Sequence, residues 1–174
     1  EDMKELQGFS GTYIVQEKYD GMRIQIHKID NKVKIYSYNQ KDITDKCPEQ
    51  VKIMENKHFG ECILDAELLL FDGEEPLQRA EVVAKIFKDK ESDTELRAHV
   101  FDIMRHEEKN MVESELSERI RTLFQNYAQH SHDKLQFPTK KDTREADSLK
   151  EIADYAKDIM NIPTAEGVVI KDIT

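Results

Sequence analysis

Tryptophan is absent from the 174 residues, and cysteine, proline and glycine are scarce at two, four and six. Cys47 and Cys62 show no CxxC spacing, and the six histidines are scattered. That argues against a disulfide framework or a structural zinc site and predicts free, reduced thiols. No apolar run approaches the roughly 20 residues that span a bilayer, and no signal-like segment opens the chain. An intracellular protein with no membrane partner is the expectation. Positive charge is also in deficit: 26 Lys and Arg against 36 Asp and Glu give a net charge of −10. This argues against the whole surface being a nucleic-acid platform, while leaving room for a local basic groove. Internal repeats, low-complexity tracts and obvious linkers are missing, which points to one domain.

What is present is a solvated globular composition, 38% apolar and 36% charged, with the apolar residues in periodic runs. Residues 1–10 read as a polar lead-in, and strands are predicted over 11–17 and 22–29, the second alternating Met22, Ile24 and Ile26 against Arg23, Gln25 and His27. Asp30-Asn31 reads as a hairpin turn returning into 33–38. A polar loop at 39–46 precedes a helix opened by Pro48 and running to about Asn56. Residues 62–71 form a nearly continuous apolar strand interrupted by Asp65 and Glu67. A helix is predicted over 77–87 with Ala80, Val83, Ala84 and Phe87 on one face. A loop at 92–94 leads to a short strand at 99–104. Helices follow at 116–128, with Leu116, Ile120, Leu123, Phe124 and Tyr127 inward, and at 148–160. The capping box Ser148…Glu151 opens the latter, with Leu149, Ile152, Ala153, Ala156 and Met160 inward. A last strand covers 168–170. The fold class is α+β, mostly antiparallel strands with interspersed helices.

Four features carry chemistry. Lys18 sits in a Gly-containing bend, where Asp20-Gly21 supplies a tight turn and close backbone approach. Asp65 and Glu67 put two carboxylates on one strand face, in a stretch so apolar that an unpaired one would be costly. Phe101-Asp102 places an aromatic beside an acid. Glu166 enters the last strand and Lys171 leaves it. Lysines, carboxylates and an aromatic together point to nucleotide chemistry. The ring stacks on a base, the acids hold a divalent cation or ribose, and the cations meet phosphates.

The residues Glu17-Lys18-Tyr19-Asp20-Gly21-Met22-Arg23 resemble the KxDG(x)R nucleophile motif of covalent nucleotidyltransferases, in the KYDG form of ATP-dependent DNA ligases. Leu64-Asp65-Ala66-Glu67 resembles the LDGE motif, Phe101-Asp102 the aromatic motif, Leu116–Arg121 the LSERR-like helix start, and Glu166–Lys171 the EGxxxK motif. The order is that of the family, archaeal and eukaryal enzymes most of all, and the resemblance covers nearly the whole chain. It implies an ATP-grasp-like nucleotidyltransferase core of two mainly antiparallel sheets flanked by helices, with the nucleotide groove between the sheets. It further implies that Lys18 attacks the α-phosphorus of ATP, keeps AMP as a phosphoramidate and passes it to the 5′-phosphate of nicked double-stranded DNA. A lysine in water, with pKa about 10.4, is neutral in only about one molecule in 2,500 at pH 7. The site therefore has to favour the free amine.

By the same resemblance Gln16, Glu17 and Arg23 contact the nucleotide, Glu67 holds ribose or metal, and Phe101 stacks on adenine. Glu166 binds Mg²⁺ (or Mn²⁺), and Lys171 meets the α-phosphate. Roles in DNA replication, repair and recombination are implied. Three positions depart from the pattern: Gln16 stands where glutamate usually reads the adenine amino group, Tyr38 where an arginine is usual, and Ala66 where glycine is. The family's last lysine motif, OB-fold domain and DNA-binding domain are not found in 1–174. The expectation is an adenylation domain from a longer, monomeric parent chain, weak or inactive in nick sealing by itself. An RNA ligase, a capping-type guanylyltransferase and a non-catalytic nucleotide- or DNA-binding relative are the alternatives. Lys85, Lys88, Lys90, Lys140 and Lys141 are secondary candidates for DNA phosphates.

Overall fold

The computed structural model describes residues 11–88, 93–163 and 165–173. The lead-in at 1–10, Lys90, Ser92 and Thr174 lie outside them. The chain opens with β1 (Tyr13–Tyr19), β2 (Met22–Ile29) and β3 (Lys32–Ser37), followed by α1 (Pro48–Met54) and the long β4 (Cys62–Asp72). The short β5 (Glu75–Pro76) leads to α2 (Arg79–Phe87), β6 (Glu95–His106) and the short β7 (Lys109–Asn110). Then come α3 (Leu116–Asn126), β8 (Leu135–Gln136), β9 (Thr143–Ala146), α4 (Leu149–Met160) and β10 (Ala165–Asp172).

Two sheets result, as the resemblance implied. The smaller has the order β10-β1-β9 and is antiparallel throughout. The larger runs β3-β2-β4-β6-β7, with β5 added to β4 and β8 joining β6 as the one parallel pair among the described residues. Asp30 and Asn31 both take positive φ, 51° and 59°, which gives the β2–β3 hairpin the twist its strands need.

The central β1 is buried on both faces from Tyr13 to Glu17. Period-2 alternation sends Ile14, Gln16 and Lys18 to one side, and Ile14 joins the main core with Ile24, Leu64, Ile120 and Leu123. Tyr13 and Val15 face the other way and pack with Ala146, Ile152 and Ile159 in a second cluster under α4. The 3.6-residue period of α3 produces the expected buried stripe of Leu116, Ile120 and Leu123. Arg119, on its first turns, makes a two-pronged pair with Asp102 of β6 at 2.8 and 3.2 Å. The helix-start motif and the aromatic motif are thus locked together by one ion pair. Ser148 caps α4 by accepting from Glu151 N–H, while the Glu151 carboxylate reaches back to Asp147 N–H at 2.9 Å. Such a cap contributes about 1 kcal/mol.

Several expectations are corrected. Lys18 is not in the bend but on β1, paired with Gly167 of β10, and a register shift follows it before Tyr19. The turn itself is Asp20-Gly21. Helix α2 begins at Arg79 and buries Val82 and Ile86, one turn apart, while Phe87 is 43% exposed and lies under the Lys41 ammonium. Helix α4 buries Ile152 and Ile159, leaving Leu149 and Met160 outward, because the stripe is centred on 152, 155 and 159. The strands predicted at 99–104 and 168–170 extend to 95–106 and 165–172, since cross-strand pairing carries polar residues that alternation alone does not mark. Strand β9 was not expected at all. Lys85 donates to Thr94 at 3.0 Å, which gives it a partner within the chain.

Candidate active site

A groove of about 470 Å³ runs between the two sheets, lined by Gln16, Glu17, Lys18, Glu67, Phe101, Glu166 and Lys171, among others. These come from four separate strands, β1, β4, β6 and β10, brought together by the pairing of β1 with β10 and of β4 with β6. Of the residues that the resemblance assigns to nucleotide or metal, Arg23 is the one missing from the wall, and Asp65 and Asp102 do not line it either. The Arg23 guanidinium makes a two-pronged pair with Asp65, Nε–Oδ1 3.0 Å, and faces a neighbouring groove with Ser37 and Tyr38. Asp65 is 1% exposed on its side chain, so Arg23 supplies the counter-charge that its burial requires. Arg23 still touches the site through Phe101, its Cζ 5.8 Å from the ring centre. Lys171 Nζ lies 5.1 Å from the same ring.

Lys18 Nζ donates to Glu166 Oε2 at 3.0 Å, with both side chains about half exposed. Gly21 makes this corner possible. A Cβ there would lie 2.5 Å from the Leu68 carbonyl oxygen and 2.8 Å from Glu67 Cγ, so the turn is pressed directly onto β4. The Gly21 N–H donates to the Glu67 carboxylate. Asp20 accepts from the Arg79 N–H at 3.4 Å and ties the turn to the start of α2.

Burial pushes the Glu67 carboxyl up to about 7, against the opposing charges of Arg79 and Arg23. Lys171 is lowered from its ordinary value, chiefly by burial, with Arg119 and Arg23 adding repulsion. The nearby Asp102 and Asp65 carboxylates oppose that shift without reversing it. A half-buried carboxyl that resists ionisation and a poorly solvated ammonium both favour a ligand carrying cation and anion together. Removing Glu67 in its neutral form from water costs little, whereas its ionised form is penalised. Native Glu67 therefore holds its proton after the unfolded chain has lost it, and its contribution to stability falls as pH rises from about 4.5 to about 7. Glu67→Gln is expected to flatten that part of the stability–pH curve in urea denaturation. Arg79→Ala is expected to move the Glu67 midpoint still higher by NMR. A Glu67 midpoint near 4.5 in the native protein would contradict this account.

Arg79, Asp20, Tyr19 and Val169 also line the groove, and sequence reasoning assigned none of them a role in it. Arg79 carried one weak signal, a cation opening a helix three residues after Pro76. Behind the groove, Tyr19 meets His99 edge-on at 4.5 Å, and burial lowers the His99 imidazole to about 4. Among the described residues no three His, Cys, Asp or Glu side chains form a cage for a metal ion. Glu67 and Glu166, from opposite sheets, suit a cation that takes its remaining ligands from a substrate.

The family described as "ATP dependent DNA ligase domain" matches residues 2–174. The chain is 32% identical over 163 residues to a DNA ligase of Methanococcus aeolicus, covering 90% of this chain and 28% of that protein. It is 28% identical over 174 residues to a DNA ligase of Haloarcula marismortui, covering 92% of this chain and 29% of that one. The chain therefore spans under a third of the length of these archaeal relatives. Its fold resembles the ligase domain of LigD from M. tuberculosis, with TM-score 0.72 and 17% identity over 93% of this chain and 49% of that one. It also resembles a mycobacterial DNA ligase D complexed with ATP and MES, with TM-score 0.71 and 17% identity over 93% and 48%. A match over nearly every residue, on a fold of the same two-sheet type, places this chain in the ATP-dependent DNA ligase domain family.

Proposed function

We propose that the groove binds ATP and that Lys18 becomes its covalent carrier of AMP. The observation that carries this reading is the convergence of Lys18, Glu67, Phe101, Glu166 and Lys171 on one groove between two sheets. The Lys18 amine attacks the α-phosphorus. A nitrogen–phosphorus bond forms, the bond to the bridging oxygen breaks, pyrophosphate leaves with the electron pair, and the amine gives up a proton. Glu166 orients Nζ from 3.0 Å away. Lys171, poorly solvated, gains from an α-phosphate oxygen, and Phe101 offers its face to the base. Gln16 and Glu17 form the base end of the groove, and Arg23 steadies Phe101 from outside it. Glu67 and Glu166 would hold a divalent cation, Mg²⁺ or Mn²⁺, which when bound draws charge off the phosphates.

The archaeal relatives named as DNA ligases are more than three times as long as this chain, which supports a division of labour. These residues charge the lysine. Transfer of AMP to a nicked duplex then calls on further segments, an OB-fold and a DNA-binding domain among them. The test is incubation with α-labelled ATP and Mg²⁺, followed by peptide mapping of the acid-labile adduct. Label on the peptide carrying Lys18 is expected. Label on another peptide, or uptake from GTP in preference to ATP, would reject the reading.

A further inference from the structure

At the inner end of the groove Gln16 is 5% exposed, on the strand position paired with Thr143 of β9. Its Nε2 donates to Thr143 Oγ1 at 3.1 Å. An amide has two faces to offer, a donor and an acceptor, and which one meets a ligand depends on what holds the other. The hydroxyl of Thr143 has a single proton, so the question becomes where that proton goes.

The turn 139–143 answers it. Asp142 Oδ1 accepts from the Thr139 backbone N–H at 2.7 Å and from Thr143 Oγ1 at 3.4 Å. Asp142 Oδ2 accepts from Thr139 Oγ1 at 3.1 Å, and that hydroxyl in turn accepts from the Lys141 N–H at 3.2 Å. Burial raises the Asp142 carboxyl from its ordinary value, while the Thr139 N–H and the Thr139 and Thr143 hydroxyls that it accepts from pull it back down. Backbone N–H groups cannot reverse, and the ionised carboxylate only accepts. The network thus has one direction. Thr143 gives its proton to Asp142 and its lone pair to the Gln16 amide nitrogen, which leaves Gln16 Oε1 to meet whatever occupies the groove beside Phe101. Gln16, Phe101, Asp142 and Thr143 share the walls of one small adjoining cavity.

We propose that Asp142 and Thr143 are positioning residues that hold Gln16 as a fixed hydrogen-bond acceptor, so that the groove selects a purine carrying a 6-amino donor over one carrying a 6-oxo acceptor. With the amide turned over, Nε2 would face the ligand and the preference would reverse. The proposal rests on the groove being a nucleotide site and adds to it the device that reads the base.

The test is calorimetric binding of ATP and of ITP, which differ at the 6-position of the base and its attendant ring proton. The wild-type protein is expected to prefer ATP by about tenfold or more. Thr143→Val, which keeps shape but removes the hydroxyl, is expected to cut that ratio to about threefold or less, and Thr143→Ser to preserve it. Gln16→Glu makes the acceptor permanent, so adding Thr143→Val in that background leaves the ratio unchanged. A merely structural Thr143 would lower the ratio in both backgrounds. Equal binding of the two nucleotides by wild type, or an intact ratio in Thr143→Val, overturns the proposal while the groove stands. Binding of neither nucleotide overturns the groove reading and takes this proposal with it.

Discussion

Lys18→Ala is expected to abolish covalent adenylate formation, a fall of about 10⁴-fold or more, while leaving the protein folded. The two halves of that statement have separate grounds. Chemically, among the described residues that line this groove no other lysine is hydrogen-bonded to a carboxylate: Lys171 lies over the Phe101 ring, on the next strand of the same sheet. Structurally, the Lys18–Glu166 pair is half exposed on both sides, and such pairs contribute only about 0–1 kcal/mol. Lys18→Arg sharpens the point. A guanidinium keeps the charge and the contact with Glu166 but does not deprotonate. It is expected to be as inactive as alanine, with a thermal midpoint near that of wild type. Single-turnover labelling beside circular dichroism reads both quantities. Residual labelling in either variant would remove Lys18 from its proposed role.

Gly21→Ala is expected to slow adenylate formation about 100-fold and to cost about 1–3 kcal/mol of stability. The added methyl would stand 2.5 Å from a main-chain oxygen of β4 and 2.7 Å from Leu69 Cδ2. A backbone atom cannot swing aside as a side-chain tip can, so the turn must lift. Lifting it moves Lys18 on one side and breaks the N–H contact to Glu67 on the other. Gly167, the glycine paired with Lys18, is the contrast: its added Cβ would sit 3.7 Å from Lys18 Cδ, ordinary packing distance. Gly167→Ala is expected to change stability by less than about 1 kcal/mol. Urea denaturation with single-turnover labelling distinguishes the two, and wild-type behaviour of Gly21→Ala would show that the turn has room to spare.

The wall of the groove was legible because its residues have unusual neighbours. Asp65 and Glu67 interrupt an apolar run, Lys18 precedes a turn dipeptide, and Glu166 and Lys171 bracket a strand. What escaped has an equally physical cause. Strand β9 is four residues long, Thr-Arg-Glu-Ala, with charged residues at its centre, so no alternation betrays it. Its place is set by pairing with β1, from Tyr13 with Ala146 to Gln16 with Thr143, 133 to 127 positions apart in sequence. With β9 hidden, Thr143 had no reason to be linked to Gln16. The inward faces of α2 and α4 were misjudged for a related reason. Each carries an apolar arc wider than the stripe that is buried, and only the sheet beneath decides which of its residues is covered. Arg79 belongs to the groove through the register of the β4–β5 turn, which no local pattern records.

The placement of β1 between β9 and β10 has a consequence for biogenesis. Lys18 emerges from the ribosome among the first residues of this domain, yet its partner Glu166 is 148 positions further on. The smaller sheet has no second or third strand until nearly the whole domain has been translated. On the proposed chemistry, a nascent or C-terminally shortened polypeptide carries the lysine without its carboxylate partner, so half-made copies are expected not to sequester nucleotide in an unproductive adduct.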